Sequence, residues 1–551
     1  MRRVFFFALP FAVSLASCNK DEPAATETPV VDAAEEVAED AAPETAPSPF
    51  LPGPYGTKPR DVAGPFVAPT TDGDWSLKTQ FNGEEHYVFV AYSSTSSYGK
   101  SLIKATQLQK LLTASPKNVH YFFLFRNDQA SFDAFVASAP AAIDAQPDAD
   151  HWRTHVHFVT QQADKIEGWL GDVFRERAAA KFKYELNDRL LFAIDRTQHV
   201  REVGMLGRLG SSGTNADLSF LASEPVYWEF ELAREKKLAA AKATIVPVLK
   251  DKTVVESVIA DIELPDAATM AGFDTLETDL TMNCENHRDG DCGAWDYISD
   301  LRLCEPGVPD ADAGPDAPAP GPKCDLEIAR WITSYWREGR WVTDISGMLA
   351  FLQTGGKKSL RWYASKQWDP RPANYVVSLS LRLSNTGKGM HPVAAKKLWD
   401  GGGLNSTYAA SHPPIAVDIP AGTKKVELYA LITGHGSDTG QCAEFCNHTH
   451  HFTLNGGTKR SQTFPMAQSI DGCRKRVNEG VVPNQHGTWY FGRGGWCPGF
   501  DVAPFLADVT ADAKIGGANS ISYEALIGTS APAAGSGYGN IDLSTYLVFW
   551  K

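Results

Sequence analysis

From Asn19 to Asn283 the chain contains no cysteine, and Cys18 is the only one before that stretch. Without a thiolate, this half has no means of disulfide exchange or cysteine-based nucleophilic catalysis. Beyond the extreme N-terminus there is also no apolar run near the roughly 20 residues that a bilayer-spanning helix requires. Positive charge is scarce: 52 Lys and Arg stand against 66 Asp and Glu, a net charge of −14. Nucleic acid demands a basic face, so it is not an expected partner. The imbalance is uneven, because Asp21 to Pro49 holds nine acids and no Lys or Arg. The remainder is only mildly acidic.

What is present describes a large exported protein. At 551 residues the chain exceeds a single core and predicts roughly three or four domains. Its 43% hydrophobic and 11% aromatic content is that of globular proteins. Arg2 and Arg3 precede an apolar run, Val4 to Ala16, which reads as an export signal. Leu15, Ala16, Ser17 and Cys18 resemble a bacterial lipobox, which implies a lipid on Cys18 at the mature N-terminus. Asn19 in place of Asp favours the outer membrane or cell surface by analogy. Residues 19–53, rich in Ala, Glu, Pro and Thr, read as a disordered acidic tether.

Residues 54–235 alternate between β-rich runs and amphipathic stretches. The runs are Tyr87–Tyr92, Val119–Phe125, His155–Thr160 and Leu190–Ile194; between them lie Ser101–Leu112, Ala130–Val136 and Ile166–Phe174. This alternation predicts an α/β domain, closed by a hairpin over Phe192–Gly204. The order resembles the thioredoxin-like fold. The reactive cysteine of that fold would fall in Ser93–Ser101, where there is none. The resemblance therefore implies a redox-dead scaffold and excludes peroxiredoxin-like chemistry.

After a charged helical connector, Leu232–Lys242, the pattern turns to period two. Val377, Leu379, Leu381 and Leu383 alternate with Ser378, Ser380 and Arg382, and Val426, Leu428, Ala430 and Ile432 follow suit. Such alternation predicts half-buried antiparallel strands in sandwiches. The fold class is thus multidomain: an α/β thioredoxin-like domain followed by two antiparallel β jelly-roll sandwiches, 243–386 and 387–551.

The remaining eight cysteines all lie between Cys284 and Cys497, as in an exported disulfide framework. Spacing suggests the local pairs Cys284–Cys292, Cys304–Cys324, Cys442–Cys446 and Cys473–Cys497. The second would close a Pro-, Asp- and Ala-rich loop, worth about 3 kcal/mol on the chain-entropy account. Asp310, Asp312 and Asp316 in that loop lack a full calcium-ligand set.

Two knots carry acids beside cysteines: CGAWD, ending at Asp296, and CAEFC, with Glu444 between its cysteines. Two rigidly held carboxylates suit general acid/base chemistry; the plainer alternative is that they cap turns. A third feature, His448, His450 and His451, puts two imidazoles on one strand face. Copper monooxygenase chemistry is one reading of it, and solvent-facing histidines are the other.

CGAWD, Ala329–Gly347, Thr433–His450 and RGGWCPG (Arg493–Gly499), in this order, resemble the bacterial peptide-N-glycosidase F family from about Phe273 to Lys551. The resemblance implies two jelly rolls side by side, with an active site in the cleft between them. The implied reaction is metal-free hydrolysis of the amide joining an N-glycan to asparagine, giving aspartate and a glycosylamine. Residue by residue, it implies Asp296 as principal catalytic acid and Glu444 as second carboxylate. Arg493 and Trp496 match the family's arginine and tryptophan, which implies that Arg493 anchors the acidic partner or polarises the amide and that Trp496, like Trp368, offers a face to the first GlcNAc residues; the first, third and fourth cysteine pairs match family disulfides. Trp368 matches a sugar-side tryptophan, but the acid expected just before it is replaced by Ser365, Lys366 or Gln367. Tyr297 stands where the family has an arginine, and His435 and Phe445 where it has tryptophans. The sequence-level expectation is an amidase acting on N-glycosylated proteins or peptides, monomeric, without a cofactor, and touching the membrane only through its lipid. The rival expectation is a surface module that binds glycoproteins without cleaving them.

Overall fold

Strands His86–Tyr92 (HYVFVAY) and Val119–Phe125 (VHYFFLF) are buried at every position. That burial explains their unbroken apolar character, since a central strand of a covered sheet must satisfy a core on both faces. Val88, Val90, Tyr121 and Phe123 point into one core, and Tyr87, Phe89, Phe122 and Phe192 into another. The sheet runs in the order Val156–Phe158, Val119–Phe125, His86–Tyr92, Leu191–Ile194, Val200–Glu202. Its first three strands are parallel and its last two antiparallel. The computed structural model of the chain describes residues 49–95, 99–180, 191–207, 216–306, 321–364, 374–436, 440, 442–535 and 537–551. Cys18, the tether before residue 49, most of the 305–323 loop, Ser365–Gln367 and Trp368 lie outside them.

The connector expected at Leu232–Lys242 is the second half of a longer helix, Ser223–Ala240. Its first turns, with Glu224, Tyr227 and Trp228, are buried. The charged second half gave the visible pattern, while the apolar first half reads equally well as strand or loop.

The rest is several antiparallel sheets, consistent with a pair of jelly rolls. The first sandwich pairs a sheet of Gly339–Asp344, Thr275–Asn283, Tyr375–Ser384 and Thr244–Val254 with a second sheet. That one runs Phe500–Asp501, Lys323–Ile332, Ile298–Glu305, Gly355–Tyr363, Ser257–Asp266. The second sandwich stacks Pro392–Gly403, Asn540–Trp550, Lys425–His435 and Phe505–Asp508 on Ile415–Asp418, Ala518–Ile527, His448–Leu454 and Arg460–Thr463. The division is not clean in sequence, because Phe500–Asp501 pairs with Trp331 and Ile332 of the first sandwich.

The seam between the sandwiches is polar and paired. Arg330 and Glu327, 3% and 1% exposed, meet at 2.7 Å. Arg330 also donates to Thr433 and to the Asp542 carbonyl, both at 2.7 Å, while Glu327 accepts from Ser544 at 2.6 Å. Buried charge is tolerable only when fully paired in this way. Residues 465–499, irregular chain with two short 3-10 turns at Pro465–Gln468 and Arg474–Glu479, brace all three parts. Phe220 of the α/β domain packs edge-on against Trp489 and Tyr490, and Trp341 of the first sandwich donates to the Gly480 carbonyl at 3.3 Å.

Candidate active site

CGAWD forms a turn entering the strand Ile298–Glu305, and Thr333 fixes it from both sides. The Thr333 hydroxyl accepts from the Tyr297 N–H at 2.8 Å and donates to the Trp295 carbonyl at 2.6 Å, bracketing Asp296. The N–H of Trp336 donates to the Gly293 carbonyl at 2.7 Å. Trp336 adopts φ +57°, a left-handed conformation uncommon for a bulky residue and one that the surrounding fold must impose. Its neighbour Tyr335, with its N–H held by Gln485 at 2.9 Å, hydrogen-bonds the Asp296 carboxylate through its hydroxyl. Burial pushes the Asp296 carboxyl above its usual range; the Tyr335 bond and the Arg493 charge pull the other way.

Glu444 sits on a single helical turn, Cys442–Phe445, closed by the disulfide Cys442–Cys446. Its backbone is laced into the RGGW segment: Gly494 N–H donates to the Glu444 carbonyl at 2.7 Å, and Gly434 N–H to the Gly494 carbonyl at 2.7 Å. A Cβ on Gly434 would lie 1.8 Å from the Ala443 carbonyl oxygen, so this approach requires glycine. The carboxylate accepts from Gly436 N–H at 3.2 Å and pairs with Arg493 Nε at 2.9 Å. Burial raises its pKa too; Arg493 opposes that and Asp296 reinforces it.

Arg493 is 1% exposed. Its other nitrogens donate to the carbonyls of Phe491 and Thr488 and to the Thr488 hydroxyl, at 3.1, 3.3 and 3.0 Å. The guanidinium lies 4.6 Å from the Phe445 ring centre and 5.4 Å from that of Trp496. It anchors Glu444 from beneath the surface. Trp496 is likewise buried: its indole N–H donates to the Gly434 carbonyl at 2.7 Å and its ring stacks on His435 at 4.8 Å. It supports the site and offers no free face. His435, its pKa depressed to about 3 by burial and by the nearby Arg330, is a neutral ring. It lines a cleft of about 610 Å³ between the sandwiches, with Arg302, Glu327, Arg330, Asn540 and Asp542.

Two residues of the site carry no assigned role in the sequence reading. Tyr335 lay within a segment recognised only as a whole. Trp295, beside Asp296, is 43% exposed and approaches Tyr335 edge-on at 6.4 Å. Its ring is partly exposed next to the acid. Trp368, expected there, lies outside the described residues. The histidines differ from expectation: His448 and His450 are fully buried, not solvent-facing. They bond to each other at 2.7 Å, and His450 to the Tyr523 hydroxyl at 2.7 Å. Only His451 turns outward, to Ser461. Among the described residues these three are not part of any three-ligand metal group. All four cysteine pairs are disulfides, joined as spacing suggested.

Asp296 and Glu444 act on the same Arg493 and Tyr335. Two elevated carboxyls sharing a guanidinium, at the junction of two antiparallel sandwiches, define a class of two-sandwich protein with a carboxylate-pair site. Residues 404–548 match the family model of the peptide-N-glycosidase F C-terminal domain. The C-terminal half of the chain belongs to that family. A curated relative, peptide-N(4)-(N-acetyl-beta-D-glucosaminyl)asparagine amidase F of Elizabethkingia miricola, is 26% identical over 216 residues. The match covers 36% of this chain and 57% of that protein, so the chain spans little more than half of the relative's length. The solved PNGase F of Flavobacterium meningosepticum, described as a glycosylasparaginase, is 16% identical with a TM-score of 0.41, covering 56% of this chain and 96% of that one. The solved PNGF-II is 13% identical, with a TM-score of 0.42 over 65% and 74%.

Proposed function

We propose that this protein is a glycoamidase that hydrolyses the side-chain amide between N-acetylglucosamine and asparagine in N-glycosylated proteins or peptides. The observation that carries the reading is the Asp296–Tyr335–Arg493–Glu444 constellation. Amide hydrolysis needs a positioned water, stabilisation of charge on the carbonyl oxygen and a proton for the leaving nitrogen. Asp296, ionised and steadied by Tyr335, takes a proton from water as its oxygen attacks the amide carbon. The C–N bond then breaks; the proton passes to the departing nitrogen, leaving aspartate and a glycosylamine. Glu444, oriented by Arg493, binds the sugar side or manages that proton. The inter-sandwich cleft supplies charged and amide groups for sugar hydroxyls, and Trp295 an apolar face.

The α/β domain is read as thioredoxin-like, serving as a cysteine-free brace. Export and attachment through Cys18 at the outer membrane complete the proposal.

Incubation with an N-glycopeptide, followed by mass spectrometry, tests it. Conversion of the linkage asparagine to aspartate by the wild type, and none by Asp296→Asn, is expected. No conversion across high-mannose, complex and core-modified glycans would leave a glycoprotein-binding module.

A further inference from the structure

Far from this site in sequence, the α/β domain gathers four histidines and a glutamate at the starts of its parallel strands. Glu85 immediately precedes His86–Tyr92, His120 is the second residue of Val119–Phe125, and His155 ends the helix Ala149–His155, just before Val156–Phe158. Parallel pairing sets Tyr87 beside His120 and Tyr121 beside Val156, which brings the three chain segments together. One Glu85 carboxylate oxygen lies 3.1 Å from His120 Nε2, the other 3.0 Å from His155 Nε2. All three ligand atoms fall within 4.8 Å of one another. Bonds of about 2.0–2.2 Å to a tetrahedral ion put its ligands roughly 3.3 Å apart, so the cluster is close to binding size.

The hydrogen bonds around the rings favour a cation. His155 Nδ1 lies 2.8 Å from the His151 carbonyl, which only accepts, and the Thr154 hydroxyl already donates to that carbonyl at 2.8 Å. Nδ1 therefore carries the ring hydrogen. In a neutral imidazole this leaves Nε2 a bare lone pair aimed at a carboxylate oxygen. His120 is oriented in the same manner, its Nδ1 2.9 Å from Nε2 of the buried His157. Metal-binding histidines characteristically have the second ring nitrogen fixed by such an outer partner. The remaining side opens into a pocket of about 410 Å³, also lined by Asp72, Asp74 and Arg153, the last of these paired with Asp144 and Asp150.

We propose that Glu85, His120 and His155 form a binding site for a divalent transition-metal ion, zinc being the best match. Two imidazoles and one carboxylate with an open fourth position are a set that zinc accepts. The site is independent of the amidase reading, whose reaction needs no part of it.

The test uses the full-length protein, stripped with a chelator and titrated with zinc, with bound metal counted by plasma mass spectrometry. One zinc per chain is expected. Glu85→Gln and His155→Ala should each abolish stoichiometric binding, while His157→Gln weakens it by about 10- to 100-fold. His451→Ala, at an exposed ring elsewhere, should change nothing. Cobalt in place of zinc should give visible d–d absorption without thiolate charge transfer. Should His155→Ala not fold by circular dichroism, the near-isosteric Glu85→Gln decides. Folded wild type that takes up no zinc, with His155 doubly protonated by NMR, would overturn the proposal in favour of a proton. So would full zinc occupancy in Glu85→Gln.

Discussion

Arg337 of the first sandwich meets Glu224 of the α/β domain at 2.9 Å, and neither is more than 9% exposed. Glu224 also accepts from Gly204 N–H and from Asn484, both at 2.9 Å. Arg337 lies two residues beyond Tyr335, so the α/β domain props the loop that steadies Asp296. Arg337 also pairs with Asp289 at 2.8 Å, so removing Glu224 leaves the guanidinium one buried partner and takes the acceptor from Gly204 N–H and Asn484, at about 1–3 kcal/mol. Glu224→Ala should lower stability to denaturant by that order and reduce turnover together with it. Lost stability with unchanged kcat would confine Glu224 to folding.

Tyr335→Phe deletes the hydrogen bond that favours ionised Asp296. The Asp296 pKa, already raised, should rise further. The acidic limb of the pH profile of kcat/KM should then move to higher pH, with activity recovering as the pH is increased. A uniform loss at every pH would point instead to displaced geometry.

Asp296→Asn should be inactive yet more stable at neutral pH. The folded pKa of Asp296 lies above its unfolded value of about 3.9, so ionisation is harder in the folded chain. Below the unfolded value both states are protonated and the carboxyl costs nothing. As pH rises through the unfolded and then the folded pKa, the wild type loses stability at about 1.4 kcal/mol per unit of elevation. Thermal unfolding of the two proteins should coincide near pH 3 and diverge above it. A variant less stable than wild type at pH 7 would contradict this account.

Trp295→Ala removes the exposed ring beside Asp296. An aromatic contact of about 0.5–1.5 kcal/mol corresponds to a rise in KM of roughly 2- to 13-fold, with kcat retained. Fluorescence or calorimetric binding of a chitobiose-bearing peptide to the inactive Asp296→Asn protein, with and without Trp295, measures the same loss directly.

Much of the architecture was legible because burial on one face leaves period two in the sequence, as in Tyr375–Ser384. Lys425–His435, expected to be half-buried, is buried at every position between its ends, because Leu428 and Ile432 enter one core and Tyr429 and Leu431 another. The acids of the two cysteine knots were legible for a local reason: disulfides and carboxylates sit within a few residues of each other. The illegible parts lack local signal. Phe500–Asp501 is a two-residue strand with no period to detect. Arg493 and Trp496 have conspicuous residue types, but their burial depends on the turns of 465–499 folding over them. Glu85, His120 and His155 are each about 35 residues apart, and only the parallel register brings them together. His448 and His450 looked solvent-facing because imidazole is polar; their mutual bond and Tyr523 satisfy them in the interior.

The crossing strand Phe500–Asp501 and the sealed Glu327–Arg330 seam have a mechanical consequence. One sandwich cannot swing away from the other without breaking sheet pairing and exposing a buried ion pair. Between these sheets the cleft is thus a slot of preset width, cast once during folding. Under the glycoamidase proposal, compact glycoproteins should yield their sugars slowly and unfolded chains or flexible tails readily.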